Sequence, residues 1–395
     1  MKRKYIAFLL TTALMATVVV GCTSNTENKE ETSVATPTES NAAAETTPDT
    51  SNPSAIEIPD GAIVIQEQGS FAVGGTVTEY PGTYNSDNFN GWAPYPEGQT
   101  YHGDHASVSY QIPVNAKELP LIFLHGAGQS SRSWETTPDG RDGFQNIFLR
   151  RGHGVYLVDQ PRRGQAGRST VEDVTIPTTH DEQMWFEIWR MGNWPDYNEN
   201  VQFPQDDESL NQFFRQMTPN TGPFDVELIS DTMAELFDTS GPGILVTHSQ
   251  GGLPGWYAGI KNSDVKAIVS YEPGNYVFPE SEVPDTMPSL TGDLTGIGIT
   301  MEDFMLLTEI PIVMYFGDYI SEDVTDELGS ENWRVRMQLG QAFVDTINRH
   351  GGDATLVELP KIGIYGNTHF LMAELNNVEL ADLLSDWLAE RGLDN

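Results

Sequence analysis

The stretch that most constrains the fold of this chain is Gly-Ile-Leu-Val-Thr-His-Ser-Gln-Gly-Gly, from Gly243 to Gly252. An apolar run ends in a polar triplet and small residues follow at once, which is typical of a buried strand that turns sharply into a helix. At such a corner a serine is held out from the sheet edge as a nucleophile, beside the first N–H groups of the helix. We therefore interpret Ser249 as a candidate nucleophile. Glycine is usual two positions before such a serine, because strand and helix nearly touch there. This chain has Thr247 at that position.

Apolar runs at regular spacing predict that this corner belongs to a mostly parallel sheet with helices on both faces. Runs that are apolar on both sides suit strands covered from above and below, and a strand, a helix and a strand in succession form a βαβ unit. The predicted strands are 120–126, 154–159, 243–247, 265–271, 310–316 and 354–359, with helices at 143–151 and 370–392. Shorter alternating runs predict an antiparallel edge before them, at 62–65, 69–73, 75–80 and 106–114.

About eighty residues separate the second and third of these strands, far more than a crossover needs. The part at about 165–225 predicts a helical cap inserted over the carboxyl ends of the strands, where ligands bind in sheets of this kind. Residues 180–216 within it are rich in aromatic side chains and methionine. We expect most of these side chains to attach the cap to its base and a few to line a pocket.

The first 55 residues are predicted to lie outside the folded domain, which spans 56–395. Residues 1–21 have the basic start, the apolar run and the Val-Val-Gly-Cys ending of a bacterial lipoprotein signal peptide, and Cys22 is the single cysteine of the chain. A plain signal peptide or a short anchor helix is the alternative. Residues 22–55 are polar and Thr-, Ser- and Pro-rich, so we expect a disordered tether. The sequence thus predicts a secreted protein held outside the cytoplasm on a bacterial membrane by a lipid on Cys22.

The formal net charge of −36 excludes a general attraction to nucleic acid or to anionic lipid. We therefore expect no nucleic-acid partner. The lipid at the N-terminus is the expected link to the membrane.

Among the eight histidines, His369 has the position that suits a general base. A serine nucleophile needs a base within hydrogen-bond reach, and His369 follows the last predicted strand just before the closing helix. His125 and His248 lie inside motifs that already explain them. The other five are predicted to be surface residues: His102, His105, His153, His180 and His350.

Two carboxylates could orient that base. Glu272 ends the strand at 265–271 and stands 23 residues after Ser249, an interval of one helix and one strand that brings it to the tip of the neighbouring strand. Asp318 follows the next strand but is out of register with the usual Gly-x-x-Asp turn, whose last position holds Ile320. We interpret Glu272 as the acid, with Asp318 as the alternative.

A tetrahedral intermediate needs hydrogen-bond donors aimed at its oxyanion. The N–H of Gln250, directly after the serine, is one candidate. The N–H of Ala127 is the other, because Gly126 and Gly128 on either side let that backbone turn toward the serine.

Six short motifs occur in an order that resembles a known group of proteins. They are His125-Gly126, Ser-Trp-Glu-Thr-Thr-Pro-Asp-Gly-Arg at 133–141, Asp159-Gln160, His248-Ser249-Gln250, Glu272-Pro273-Gly274 and Gly366-Asn367-Thr368-His369. Over nearly all of 69–388 the chain closely resembles the bacterial α/β-hydrolase esterases of the esterase 713 type. The resemblance implies the α/β-hydrolase fold, a Ser-Glu-His triad, oxyanion donors at Ala127 and Gln250, and hydrolysis of carboxylic esters. The type esterase has two adjacent cysteines where this chain has Ala127-Gly128.

These inferences combine into a hypothesis of a membrane-tethered serine esterase that acts on small-molecule esters without a metal or cofactor. Ser249 attacks the ester, His369 moves the proton and Glu272 orients the imidazole. A lactonase, thioesterase or amidase would use the same residues. A surface lipoprotein that binds ligands on a non-catalytic hydrolase scaffold is the alternative from another class.

Overall fold

The computed structural model describes residues 59–88, 96–171 and 181–395. The predicted signal peptide, the tether with Cys22 and the histidine at 180 lie outside these described residues.

Eight strands form the central sheet. They are β1 (Ile65–Val73), β2 (Ala106–Pro113), β3 (Leu121–Leu124), β4 (Val155–Asp159), β5 (Gly243–His248), β6 (Val265–Tyr271), β7 (Ile312–Phe316) and β8 (Ala354–Glu358). Their order across the sheet is β1-β2-β4-β3-β5-β6-β7-β8. The pairs β1–β2 and β2–β4 are antiparallel, and the pairs from β4 to β8 are parallel. The sheet is therefore mostly parallel with an antiparallel N-terminal edge, as predicted.

Eight helices accompany the sheet. They are α1 (Phe144–Arg150), α2 (Glu182–Ile188), α3 (Asp207–Gln216), α4 (Val226–Ser240), α5 (Gly252–Lys261), α6 (Met301–Leu307), α7 (Leu328–Arg349) and α8 (Asn377–Glu390). Besides several short 3₁₀ turns, the described residues form three two-stranded pairs: Thr76–Glu79 with Thr100–Gly103, Gly192–Asn193 with Asp196–Tyr197, and Val277–Pro279 with Ile297–Ile299. Within the described ranges, no helix combines the length and apolarity needed to cross a bilayer.

Neighbouring residues of each central strand pack into different cores, since successive side chains of a strand point to opposite faces. In β3, Ile122 and Leu124 pack into a cluster with α4, α5 and α7, whereas Leu121 and Phe123 pack with α1 and α8. All four side chains are fully buried. Both faces of the sheet are therefore covered, which is the reason why these strands are apolar along their whole length.

The register between β5 and β6 determines which side chains meet at the edge of the sheet. Tyr271 is paired with His248 in this parallel ladder. The next residue on each strand, Glu272 and Ser249, therefore leaves the sheet at the same level.

The closing helix and the N-terminal edge differ from the sequence prediction. The closing helix begins at Asn377 instead of 370, and only a short 3₁₀ turn, Leu371–Ala373, precedes it. Between them the chain turns so that the side chain of Glu374 bonds back to the amide of Thr368, which a continuous helix could not do.

At the N-terminal edge, the predicted strand at 69–73 extends back to Ile65 as β1, with an irregularity between Ile65 and Glu67, whereas residues 62–64 precede the strand. The predicted edge strand at 75–80 is outside the central sheet, because Thr76–Glu79 pairs with Thr100–Gly103 in a separate two-stranded sheet.

The segment between β4 and β5 supplies α2, α3 and the pair around residues 192–197 before α4 returns the chain to the sheet. Several of its aromatic side chains are buried, including Phe186, Phe203 and Phe213, whereas Trp194 is exposed. Trp185 and the buried Trp189 line a cavity that also contains Ser249.

Candidate active site

Ser249 stands at a strained corner directly after β5. Its φ is +53°, in the left-handed region that costs a non-glycine residue about 1–3 kcal/mol. A 3₁₀ turn, Ser249–Gly251, leads into α5 without a break. A Cβ on Gly251 would lie 2.7 Å from the carbonyl oxygen of His125, so only glycine fits there. The fold thus holds the serine side chain out from the sheet edge, in the conformation expected of a nucleophile.

Thr247 stands where the motif usually has glycine, and helix α5 provides the space for its side chain. A Cβ on Gly255 of α5 would lie 2.8 Å from the Thr247 methyl carbon, so this glycine provides the space that the threonine fills. The Thr247 hydroxyl forms a 2.7 Å hydrogen bond with the hydroxyl of Ser270 on β6. The close approach of strand and helix is preserved because the glycine stands on the helix and not on the strand.

His369 and Glu272 form a buried pair. The imidazole Nδ1 lies 2.6 Å from Glu272 Oε2, and both side chains are excluded from solvent. Burial lowers the pKa of His369 to about 4, against the opposing effect of the Glu272 carboxylate. The imidazole is therefore neutral near pH 7. With Nδ1–H donated to the carboxylate, Nε2 is the nitrogen left to accept a proton.

Asp318, the alternative acid, binds the backbone of the loop that carries His369. Its Oδ2 accepts a 2.8 Å hydrogen bond from the Gly366 amide, and its Oδ1 accepts one of 2.7 Å from the Tyr319 amide. The structure brings Glu272, and not Asp318, to the imidazole of His369.

The loop after β3 lies against the serine. A Cβ on Gly126 would be 2.8 Å from the Cβ of Ser249, so backbone and nucleophile are in direct contact there. Ala127, Ser249 and Gln250 line one cavity. The two candidate oxyanion donors therefore share a cavity with the candidate nucleophile, Ser249.

Arg163 holds this loop, a role that no motif in the sequence indicates. Its Nη1 donates to the carbonyl oxygens of Gly126 (3.0 Å) and Gln129 (3.2 Å), and the side chain is buried. The amide of Thr218 donates to the Gly128 oxygen at 2.8 Å. These hydrogen bonds fix the loop at the place where the type esterase has adjacent cysteines.

The Trp-Glu-Thr-Thr-Pro-Asp-Gly-Arg run supports the loop that carries His369. Arg141, its last residue, donates to the backbone oxygen of Glu374 and to Asn377 Oδ1, at 3.0 and 2.9 Å. The Glu374 carboxylate accepts from the Thr368 amide and from Asn367 Nδ2, both at 2.5 Å. Burial raises the pKa of Glu374 to about 7. A chain of contacts therefore runs from the motif to the residue before the base.

Arg190 makes the contact with the acid that sequence reasoning missed. Its Nη2 lies 2.5 Å from Glu272 Oε1, its Nε donates to the Asp318 backbone oxygen at 2.8 Å, and it is 2% exposed. Burial alone would raise the pKa of Glu272, but the charge of Arg190 and the hydrogen bond from His369 hold that pKa below its usual value. Arg190 follows α2 directly and has a φ of +62°. The insertion therefore supplies a counter-ion to the candidate triad.

Replacing Arg190 by methionine is expected to lower kcat roughly tenfold and to move the acid limb of the pH–kcat/KM profile upward. His369 must be neutral to accept a proton, so activity falls as the pH drops through its pKa. The charge of Arg190 is one of the causes that lower that pKa, so its removal raises the pKa. Steady-state kinetics on a soluble ester between pH 4 and 9 would measure both changes.

Arg190→Lys separates electrostatics from packing. Lysine keeps the charge beside Glu272 but loses the second contact with Asp318, so it should restore the position of the acid limb more fully than kcat. An unchanged acid limb in Arg190→Met would show that the arginine has a structural role only.

The remaining histidines are placed as follows. His125 and His248 are buried beside the nucleophile corner, and the ring centroid of His248 is 4.4 Å from that of His369. His153, predicted at the surface, is fully buried, because its ring nitrogens bond the Leu119 oxygen and the Asp394 carboxylate. No group of three or more His, Cys, Asp or Glu side chains within the described ranges is arranged to hold a metal ion.

Comparisons with known proteins identify the family of this chain. Residues 121–392 match the alpha/beta hydrolase family. A probable secreted lipase, phiG, of a fungus (Fungal sp. strain ATCC 74256) is 27% identical over 333 residues, which are 74% of this chain and 88% of the lipase. The solved structure of a novel bacterial esterase is 29% identical, has a TM-score of 0.68, and covers 85% of this chain and 98% of that chain. The predicted fold and the resemblance to bacterial esterases are confirmed, and the chain belongs to the alpha/beta hydrolase family.

Proposed function

We propose that this protein hydrolyses carboxylic esters through a serine acyl-enzyme. The observation that carries the proposal is the buried pair of His369 and Glu272, joined at 2.6 Å, at the edge of the sheet where Ser249 leaves β5. A nucleophile, a base in its neutral form and an orienting carboxylate are the three parts that acyl transfer requires.

The reaction follows from the positions of these groups. Ser249 Oγ attacks the ester carbonyl carbon while His369 Nε2 takes its proton, and the N–H groups of Ala127 and Gln250 stabilise the oxyanion. The imidazolium formed is stabilised by Glu272 and returns the proton to the departing alcohol, which leaves an acyl-enzyme. Water activated by His369 then attacks the acyl group, and the carboxylic acid is released with a regenerated serine.

The two relatives support ester hydrolysis, since one is an esterase and the other a probable lipase. The lipase is described as secreted, which agrees with the signal-like N-terminus of this chain. We propose in addition that the protein is held outside the cytoplasm by a lipid on Cys22. Mass spectrometry of the N-terminal peptide from a membrane fraction would detect that lipid, and an unmodified Cys22 would contradict the tether.

The full-length protein is expected to hydrolyse short-chain p-nitrophenyl and aryl esters and to be labelled on Ser249 by a fluorophosphonate. The panel should include a lactone, a thioester and an anilide, because the same residues could cleave each of them. Ester turnover that exceeds turnover of the other three supports the proposal. The absence of both turnover and labelling would indicate a scaffold that binds ligands without catalysis.

A further inference from the structure

The cavity that contains Ser249 has one charged residue among its described lining residues. It measures about 340 Å³, and of the described residues that line it only Arg336, on α7, carries a formal charge. Ligand pockets of roughly 300–1,000 Å³ are typical for small molecules, so this one suits a compact substrate. A cation inside the cavity contrasts with the net charge of −36 of the whole chain.

Arg336 has no carboxylate partner within the protein, as far as the structure describes it. On the same helix, Arg334 pairs with Glu331 at 2.6 Å and Arg349 pairs with Glu282. No described Asp or Glu oxygen lies within the 4.0 Å that defines an ion pair for Arg336. Burial lowers the pKa of Arg336, since a guanidinium removed from water loses hydration. The side chain is partly buried, and a charge that is removed from water in this way is commonly paired.

The guanidinium is held in one orientation with its binding edge free. Nη1 donates to the backbone oxygen and to Oδ1 of Asn332, at 2.8 and 2.5 Å, and the hydroxyl of Thr291 donates to the same Oδ1. Both Asn332 and Thr291 also line the cavity. Within the described residues, no hydrogen bond uses Nε or Nη2 of Arg336. These two atoms form the edge of the fork that binds a carboxylate through two parallel hydrogen bonds.

The other walls of the cavity are largely apolar. Trp185, Ile188 and Trp189 come from the end of α2, and Leu253 and Trp333 come from α5 and α7. The ring of Trp333 also packs on His369, with centroids 4.0 Å apart, and the Arg336 guanidinium lies 5.5 Å from the Trp333 centroid. The cation is therefore next to an aromatic wall that reaches the candidate base, which suits an apolar linker between the reacting ester and an anion.

From this arrangement we propose that Arg336 binds a carboxylate of the substrate, so that the preferred substrates are small esters with a second, free carboxylate, such as monoesters of dicarboxylic acids. The inference rests on the proposed esterase function. A substrate of this class supplies the missing counter-ion, and the neutral wall of tryptophan and aliphatic side chains contacts its hydrocarbon chain.

Monoethyl glutarate and diethyl glutarate form a matched pair of substrates, because they share the scissile ester and differ in the free carboxylate. The full-length protein is expected to hydrolyse the monoester with a kcat/KM roughly tenfold or more above that of each ester group of the diester, given the energies of buried charge pairs. Arg336→Met should remove this preference by lowering the kcat/KM of the monoester toward that of each ester group of the diester, measured on the same variant. Arg336→Lys keeps the charge but lacks the two parallel N–H donors, so it should restore part of the preference for the monoester. Arg349→Met, at the far end of the same helix, is the control and should keep the full preference.

A binding measurement separates the two proposals. In a Ser249→Ala background, calorimetry should show that monoethyl glutarate binds at least roughly tenfold more weakly when Arg336 is also replaced by methionine. Equal preference and equal binding with and without Arg336 would overturn the inference. If the protein hydrolyses neither these esters nor the p-nitrophenyl and aryl esters and is not labelled by the fluorophosphonate, while binding still depends on Arg336, the esterase function is wrong and the carboxylate site is supported.

Discussion

Ser249→Ala is expected to lower kcat on any ester substrate by about 10⁵–10⁶-fold, since the variant lacks the atom that forms the acyl-enzyme. The fold should not change. The positive φ at this position is set by the turn into α5 and not by the hydroxyl, and alanine tolerates it about as well as serine. Stopped-flow measurement with a p-nitrophenyl ester would show a burst of nitrophenol for the wild type if acylation is faster than deacylation, and no burst for the variant.

Ser385→Ala is a suitable control for this experiment. Ser385 lies on α8, where its hydroxyl accepts a 2.8 Å hydrogen bond from Arg151, and it takes no part in the cavity. The kcat of the Ser385→Ala variant should stay within about twofold of the wild-type value, as for most substitutions away from the site. Retention of more than a tenth of the wild-type rate in Ser249→Ala would contradict the assignment of the nucleophile.

The sequence was sufficient to predict the sheet and the residues at its edge, because both depend on short-range patterns. Apolar runs of five to seven residues mark the parallel strands, and the interval from Ser249 to Glu272 is one helix plus one strand. A parallel register then places both residues at the same level, which the pairing of His248 with Tyr271 shows. These intervals favour Glu272 over Asp318 as the candidate acid, and this assignment stays a prediction.

The contacts that cross between distant segments could not be predicted in this way. Arg190 reaches Glu272 over 82 positions of sequence, from an insertion whose packing has no periodic signal. Arg163 likewise reaches the loop at Gly126 from the turn after β4. The start of α8 was misplaced because Glu374 bonds the histidine loop, and helical spacing of apolar residues does not report such a bond.

The insertion between β4 and β5 contributes to the candidate triad as well as covering the cavity. The His369 amide donates to the Trp189 oxygen at 3.1 Å, and the next residue, Arg190, contacts Glu272. The base and the acid are thus each held by one of two consecutive residues at the end of α2. A shift of this helix end would disturb both at once. The same end supplies Trp185 and Trp189 to the cavity wall, so we expect changes there to affect catalysis and binding together.

Glu272→Gln is expected to lower kcat by about 10⁴-fold, whereas Asp318→Asn should lower it by less than about tenfold. In the wild type, Glu272 Oε1 accepts from the Gly317 amide at 2.8 Å and from Arg190, and Oε2 accepts from His369 Nδ1. Because Gly317 and Arg190 can only donate, the amide oxygen of glutamine must face them and its NH₂ must face the imidazole. His369 Nδ1 then becomes an acceptor, the proton moves to Nε2, and the nitrogen that should receive the serine proton is blocked.

Asp318→Asn is expected to lower kcat less, because Asp318 accepts hydrogen bonds from backbone amides and has no hydrogen bond with the imidazole. The Asp318 carboxylate accepts from the amides of Gly366 and Tyr319, and an asparagine keeps one of these two hydrogen bonds.

Glu272→Gln leaves the buried Arg190 without a counter-ion, so thermal unfolding must be measured alongside the kinetics, since breaking a buried pair costs about 3–5 kcal/mol. Fluorophosphonate labelling well below the melting temperature distinguishes a folded protein with the wrong tautomer, which labels slowly and uniformly, from a partly unfolded one, in which a fraction labels at the wild-type rate. If Asp318→Asn abolished activity and Glu272→Gln did not, the acid would be Asp318 and the contact between Glu272 and His369 would have a structural role.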